Sequence, residues 1–189
     1  MPSGKFDSAI FMPNNDVVNG GGMPNMLIDA RNVGRITVEL LKREDTLNKK
    51  VIAYGEVMSQ NEIHRMIEAR TGEELVLTHV CDRLSAFNIS DTGINAIQTT
   101  ESEARTRLQT VKQKHDADPT EGRNRFLLAA AQYAITKYVR ADNTPENAEY
   151  LGYIDARKLL PDFKFRTFGE FLGDLMAGGV RRPYQGVMV

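Results

Sequence analysis

The sequence predicts an α/β fold with a mostly parallel sheet, followed by a mainly helical region. Three observations carry that expectation. Strand and helix signals alternate from Phe6 to about Val80, the order that builds sheets covered by helices. Capping chemistry marks helix starts at Asp29, Ser59, Thr144 and Thr167. From Ser90 to about Val139 the character changes to long polar side chains and then alanine, which favours helix. The division expected is an α/β portion over 1–89 and a mainly helical portion over 90–189.

The elements follow in order. Phe6 to Met12 reads as a strand, and Asn14 to Gly22 is turn-rich. Met26 to Ile28 reads as a short strand paired back on the first, a hairpin-like unit. Asp29 is placed to accept from the free N–H groups of the next helix, whose apolar stripe is Val33, Ile36, Leu40 and Leu41. Thr46 to Asn48 interrupts, and Val51 to Tyr54 reads as a short buried strand. Ser59 with Glu62 three residues on is a capping box. The helix it opens carries Ile63, Met66 and Ile67 and stops at Gly72. Leu75 to Val80 is the next strand.

Glu101 to Lys114 reads as an exposed helix with Leu108 and Val111 as its few apolar residues. Asp116 to Gly122 is a loop punctuated by Pro119 and Gly122. Phe126 to Val139 is a more apolar helix whose alanines permit close packing. Thr144-Pro145 starts a short helix that ends at Gly152. The last helix runs from about Thr167 to Ala177, with Phe168, Phe171, Leu172 and Leu175 as its buried face and Gly178-Gly179 as its stop.

Composition narrows the function classes. A chain of 189 residues is long enough for one real core. With 24 basic against 25 acidic residues, nothing predicts binding to nucleic acid or to an anionic membrane. No apolar run is long enough to span a bilayer, and a cytoplasmic location is the default expectation. The single cysteine, Cys81, excludes an intramolecular disulfide and reads as a buried structural residue.

Four constellations invite chemistry. Gly20-Gly21-Gly22 resembles a phosphate loop, but Pro24 and a strand follow it where a helix is required, so it reads as a turn. Tyr133 and Lys137 form a Y-x-x-x-K pair, a spacing that can set an ammonium beside a phenol. No cofactor loop precedes that pair, and it reads as a chance pairing on an amphipathic helix. His64, His79 and His115 lie on different elements and predict no metal site; His64 reads as solvated and His79 as a strand histidine. The aromatic residues Tyr133, Tyr138, Tyr150, Tyr153, Phe163 and Phe165 suit a small-ligand pocket or plain core packing. The tyrosines Tyr133, Tyr138, Tyr150 and Tyr153 are the substrate-facing candidates.

The phrase DTLNKKV between helix and strand, from Asp45 to Val51, matters here. So do PSGKFDSAIFMPNND from Pro2 to Asp16 and the glycine turn at 20–22. Towards the end come RADNTPENAEYLGYIDARKLLPDFKFRTFGEFL from Arg140 to Leu172 and RRPY from Arg181 to Tyr184. In this order they resemble the C-terminal half of the isoflavone-reductase-like branch of the NmrA-like family, atypical short-chain dehydrogenase/reductases, with fungal members nearest. The match is loose from Thr78 to Arg125. The resemblance implies a partial NAD(P)-binding Rossmann-like fold, made of its C-terminal strands plus a helical substrate-side subdomain. It also implies that the Gly-rich cofactor loop and the catalytic lysine belong to a preceding half of about 150 residues. No catalytic, cofactor-binding or metal residue is therefore assigned to this chain.

Two function classes follow. The preferred one is the substrate-side portion of an NAD(P)H-dependent oxidoreductase. Intact family members use NADPH or NADH on a small aromatic or unsaturated substrate, and this chain alone is expected to bind no cofactor. The alternative is a non-enzymatic dinucleotide-sensing or protein-interaction module. Met1-Pro2 fits an internal methionine, a short paralogue or one piece of a split gene. Open strand edges are expected to make the chain self-associate or require a partner.

Overall fold

The computed structural model describes residues 16–73, 77–79 and 96–180. The expected strand Phe6 to Met12, Cys81 and the RRPY segment lie outside the described residues. The first described strand, β1 (Asp16–Val18), runs into a 3-10 turn at Asn19–Gly21. Then come β2 (Asn25–Leu27), α1 (Ala30–Leu41), β3 (Val51–Ile52), β4 (Glu56–Met58) and α2 (Gln60–Thr71). They are followed by β5 (Leu77–His79), β6 (Ala96–Thr99), α3 (Glu101–Ala117) and α4 (Gly122–Tyr138). The chain continues through α5 (Pro145–Tyr150), β7 (Ile154–Asp155), α6 (Ala156–Leu159) and α7 (Phe168–Met176).

Among the described residues β1, β6 and β5 form a parallel sheet in that order, with Val17 opposite Gln98 and Thr78 opposite Ile97. β6 thus lies in the middle of the sheet, in a stretch where the sequence showed no strand signal. The expected pairing of Met26 to Ile28 back on the first strand is replaced by another: β2 runs antiparallel to β4, with Met26 opposite Val57. The expected strand Val51 to Tyr54 is shorter and divides its neighbours. β3 pairs in parallel with β7, and Gly55 turns the chain into β4, its N–H donating to Leu27 O at 2.7 Å.

The helix ends follow the capping logic. Asp29 accepts from Arg31 N, and Thr144 from Asn147 N. Ser59 and Thr167 form complete capping boxes with Glu62 and Glu170. A third box, Thr100 with Glu103, opens α3. Gly72 and Gly178 end their helices with φ near +70°, a conformation that glycine adopts without steric cost.

Two apolar clusters hold these parts. α7 buries Leu172 and Leu175 against Ile67 of α2, with Ile63, Met66, Phe168 and Phe171 around them. α3 and α4 pack along each other and meet the sheet where Val18, Ala104 and Ile135 come together, beside Leu108, Ala134, Tyr138 and Val139. The small Ala104 and Ala131 are buried, as close helix packing requires. The α1 stripe is only partly inward. Ile36 is buried, whereas Leu41 is 81% exposed, because five helical positions carry it about 140° round the axis.

Candidate functional site

In an open α/β sheet the carboxyl ends of parallel strands are where loops converge and ligands bind. Here that edge is the end of β1 and of β6. β1 stops at Val18, and Asn19, Gly20 and Gly21 all adopt positive φ, which turns the chain sharply away from the sheet. Gly21 is buried, and a Cβ there would meet Asn61 and Val17. β6 stops at Thr99, a buried residue whose hydroxyl has no hydrogen-bond partner among the described residues. Thr100 then caps α3.

The Ser59 box fixes where α2 begins, and so fixes the two carboxamides of its first turn. Gln60 reaches β1: its Nε2 donates to Asp16 O at 2.6 Å, and its Oε1 accepts from Val18 N at 3.0 Å. Asn61 Nδ2 donates to Gly20 O at 2.8 Å and so holds the glycine turn. Asp16 is paired in addition with Arg107 of α3. A similar device holds β2. Met26 N donates to Asn143 O at 2.9 Å, and Asn143 Nδ2 donates to Met26 O at 3.1 Å and Asn25 Oδ1 at 3.3 Å. The sequence reading missed Gln60, Asn61 and Asn143. The one signal for the first two is their place directly after a capping serine.

The glycine turn does not fit a dinucleotide pyrophosphate. It leads to β2 rather than to a helix N-terminus, and the carbonyl of Gly20 and the space over Gly21 are taken by Asn61. The reading of Gly20 to Gly22 as a turn agrees with this geometry.

The candidate tyrosines are spread over α4, α5 and the segment before β7. Tyr138 packs in the cluster at the end of β1, and burial pushes its phenol above the usual range. Tyr133 is 57% exposed, and Lys137 Nζ sits over its ring, 5.5 Å from the centroid. The ammonium lies over the ring, the geometry of a cation–π contact. Burial lowers the Lys137 pKa. Tyr150 is 87% exposed. Tyr153 is half-buried with Lys50 Nζ over its ring at 5.6 Å. Phe163 and Phe165 pack edge to face, and Arg35 stacks on Phe163. His64, expected to be solvated, is half-buried, and burial lowers its pKa.

A separate ionic cluster ties α1 to α7. Arg31 pairs with both Asp29 and Asp174, and Arg166 Nη2 meets Asp174 at 2.6 Å. The Arg31 hydrogen bond holds the Asp29 carboxyl below its usual range. These groups neutralise one another, as a structural network does. Two shallow concave surfaces lie beside α1, lined by Arg35, Val38, Glu39, Arg43 and the 159–164 segment. None of the four tyrosines lines them. Among the described residues no helix is long and apolar enough to cross a membrane, and no cluster of three metal-ligating side chains occurs.

No protein-family model matches the chain. It is 27% identical over 167 residues to an asnovolin J 5′,6′-dehydrogenase of Aspergillus novofumigatus, covering 88% of this chain and 45% of that protein. Its fold superposes on an isoflavone reductase with a TM-score of 0.59 at 19% identity, over 91% of this chain and 49% of the other. It superposes on a leucoanthocyanidin reductase of Vitis vinifera with a TM-score of 0.62 at 14% identity, over 90% of this chain and 48% of the other. In sequence and in fold the chain resembles the isoflavone-reductase-like, Rossmann-like reductases, and it spans about half the length of the relatives it matches.

Proposed function

We propose that this chain forms the substrate-side portion of an NAD(P)H-dependent oxidoreductase acting on a small aromatic or otherwise unsaturated molecule. The observation that carries the reading is the asymmetry of the match. About nine-tenths of this chain superposes on reductases, and under half of each reductase is matched. The dinucleotide, NADPH or NADH, is proposed to be held by a separate half, since the glycine turn offers a pyrophosphate no cradle. This chain would contribute a wall at the carboxyl edge of the sheet, where α4 packs Tyr138 beside Val18, with Tyr133 exposed on the same helix. Tyr150 and Tyr153 would lie further out along the same helical region.

Tyrosine suits such a wall because it offers an apolar face with a polar tip. The test is a titration of the chain with a panel of flat aromatic and enone compounds, followed by tyrosine fluorescence and melting temperature. Saturable quenching with a raised melt, weakened by Tyr133→Ala, supports the reading. Tyr133 is exposed enough for that substitution to leave the fold intact. A panel without a saturable binder, or binding indifferent to the substitution, counts against it.

A further inference from the structure

We infer that Gln60 and Asn143 are edge locks that close β1 and β2 against the addition of another strand, Gln60 with both ends of its carboxamide and Asn143 with its backbone carbonyl and its side-chain amide. A strand at the end of a sheet presents unpaired N–H and C=O groups that a foreign chain can take. A parallel neighbour uses the N–H and C=O of one of its residues. They bond the C=O of the residue before its partner and the N–H of the residue after it. Around Val17 those two groups are Asp16 O and Val18 N, and the Gln60 carboxamide takes both, at 2.6 and 3.0 Å. One primary amide, a donor and an acceptor on one carbon, thereby replaces one residue of a neighbouring strand. Arg107 pairs with the Asp16 side chain at the same place and adds charge to the edge.

The same logic recurs at β2 with a different residue. In an antiparallel pair, alternate residues turn their N–H and C=O to the outside. Asn25 and Leu27 flank Met26 in the pairing with β4, and both outward groups of Met26 are occupied by Asn143. Its backbone carbonyl accepts from Met26 N and its side chain donates to Met26 O. Asn143 is fixed in turn by the tight turn after α4, where Ala141 has φ +58° and Thr144 Oγ1 donates to Ala141 O. Two unrelated elements, the first turn of α2 and the turn after α4, therefore deliver the same chemistry to two different strand edges.

The experiment is residue-resolved hydrogen exchange on the full chain, with sedimentation across a concentration series. In the wild type the Val18 and Met26 amides are expected to be protected to the same degree from dilute to concentrated protein. Gln60→Met keeps the length of the side chain and removes its hydrogen bonds. In dilute protein this variant should exchange the Val18 amide about tenfold faster or more, while Met26 and the Ile36 region of α1 stay protected. At high concentration it should show associated species that the wild type lacks. An unchanged Val18 rate in a folded Gln60→Met chain overturns the proposal. If the variant fails to fold, the wild type decides alone. Protection at Val18 that rises with protein concentration would mean that β1 accepts strands from other copies, and the lock is refuted. Constant protection upholds it.

Discussion

Replacing Gly21 by alanine probes the junction on which the candidate site rests. Gly21 has φ +68°, is buried, and leaves no room for a Cβ, which would sit 2.6 Å from Val17 Cγ1 and closer still to Asn61 Oδ1. The left-handed backbone costs an L-residue about 1–2 kcal/mol. Val17 is buried in β1, so the overpacking adds about 1–3 kcal/mol. Asn61 can swing away only by losing its bond to Gly20 O, about 1 kcal/mol. The sum is roughly 3–6 kcal/mol by these terms. Gly20 is the matched control. It has φ +75° with nothing within 4 Å of a Cβ, so Gly20→Ala should cost the backbone contribution only. The assay is urea unfolding of both variants beside the wild type. With a slope of about 2 kcal/mol/M, the Gly21→Ala midpoint should fall below that of Gly20→Ala by about 1 M or more. Equal midpoints would refute the claim that Asn61 and Val17 close over the turn.

Further outcomes follow from the same contacts. Ser59→Ala removes the hydroxyl from the capping box of α2 and should destabilise by about 0.5–2 kcal/mol in denaturant unfolding. Because Ser59 sets where Gln60 and Asn61 begin, it should also loosen the amide of Val18. Leu172→Ala empties a fully buried position between α7 and α2 and should cost about 2–5 kcal/mol by the same measurement. Acid should weaken the fold in two stages. Asp29, Glu62 and Glu170 have pKa values lowered by their cap and ion-pair hydrogen bonds, and His64 has one lowered by burial. A lowered folded pKa gives stability that is present above the unfolded pKa and lost as pH falls through the folded one. Melting temperature should therefore begin to drop below about pH 6.5 from His64 and drop again below about pH 4.5 from the carboxylates. A melt that is flat from pH 7 to pH 3 would contradict those environments.

What was legible in the sequence was local. Asp29, Ser59, Thr144 and Thr167 announced helix starts because a cap is a bond between near neighbours, and each is seen in place. Gly72 and Gly178 announced ends for the same reason. The α7 face was readable from its period, since Leu172 and Leu175 sit one turn apart and both are buried. What stayed hidden was set at long range. β7 has two residues and exists only through its pairing with β3 about a hundred positions away, too short for any periodicity. The partner of β2 depends on how Gly55 brings β4 alongside, which no turn signal encodes. Gln60, Asn61 and Asn143 look like ordinary polar residues until the strands they serve are placed. The tyrosines carried chemistry in their type, but their positions on α4, α5 and before β7 are decided by packing.

The central claim is that this chain carries the substrate side of a reductase and leaves the dinucleotide to another half. The measurement that tests it most directly is a titration with NADPH, read by nicotinamide fluorescence and by the melting temperature of the chain. A ligand that binds the folded state raises stability with the logarithm of its concentration over its dissociation constant. The account predicts no saturable signal and no rise in melting temperature up to about millimolar NADPH, where a site of even millimolar affinity would begin to show. Saturable fluorescence enhancement with a concentration-dependent rise in melting temperature would contradict it and place a working cofactor site on this chain.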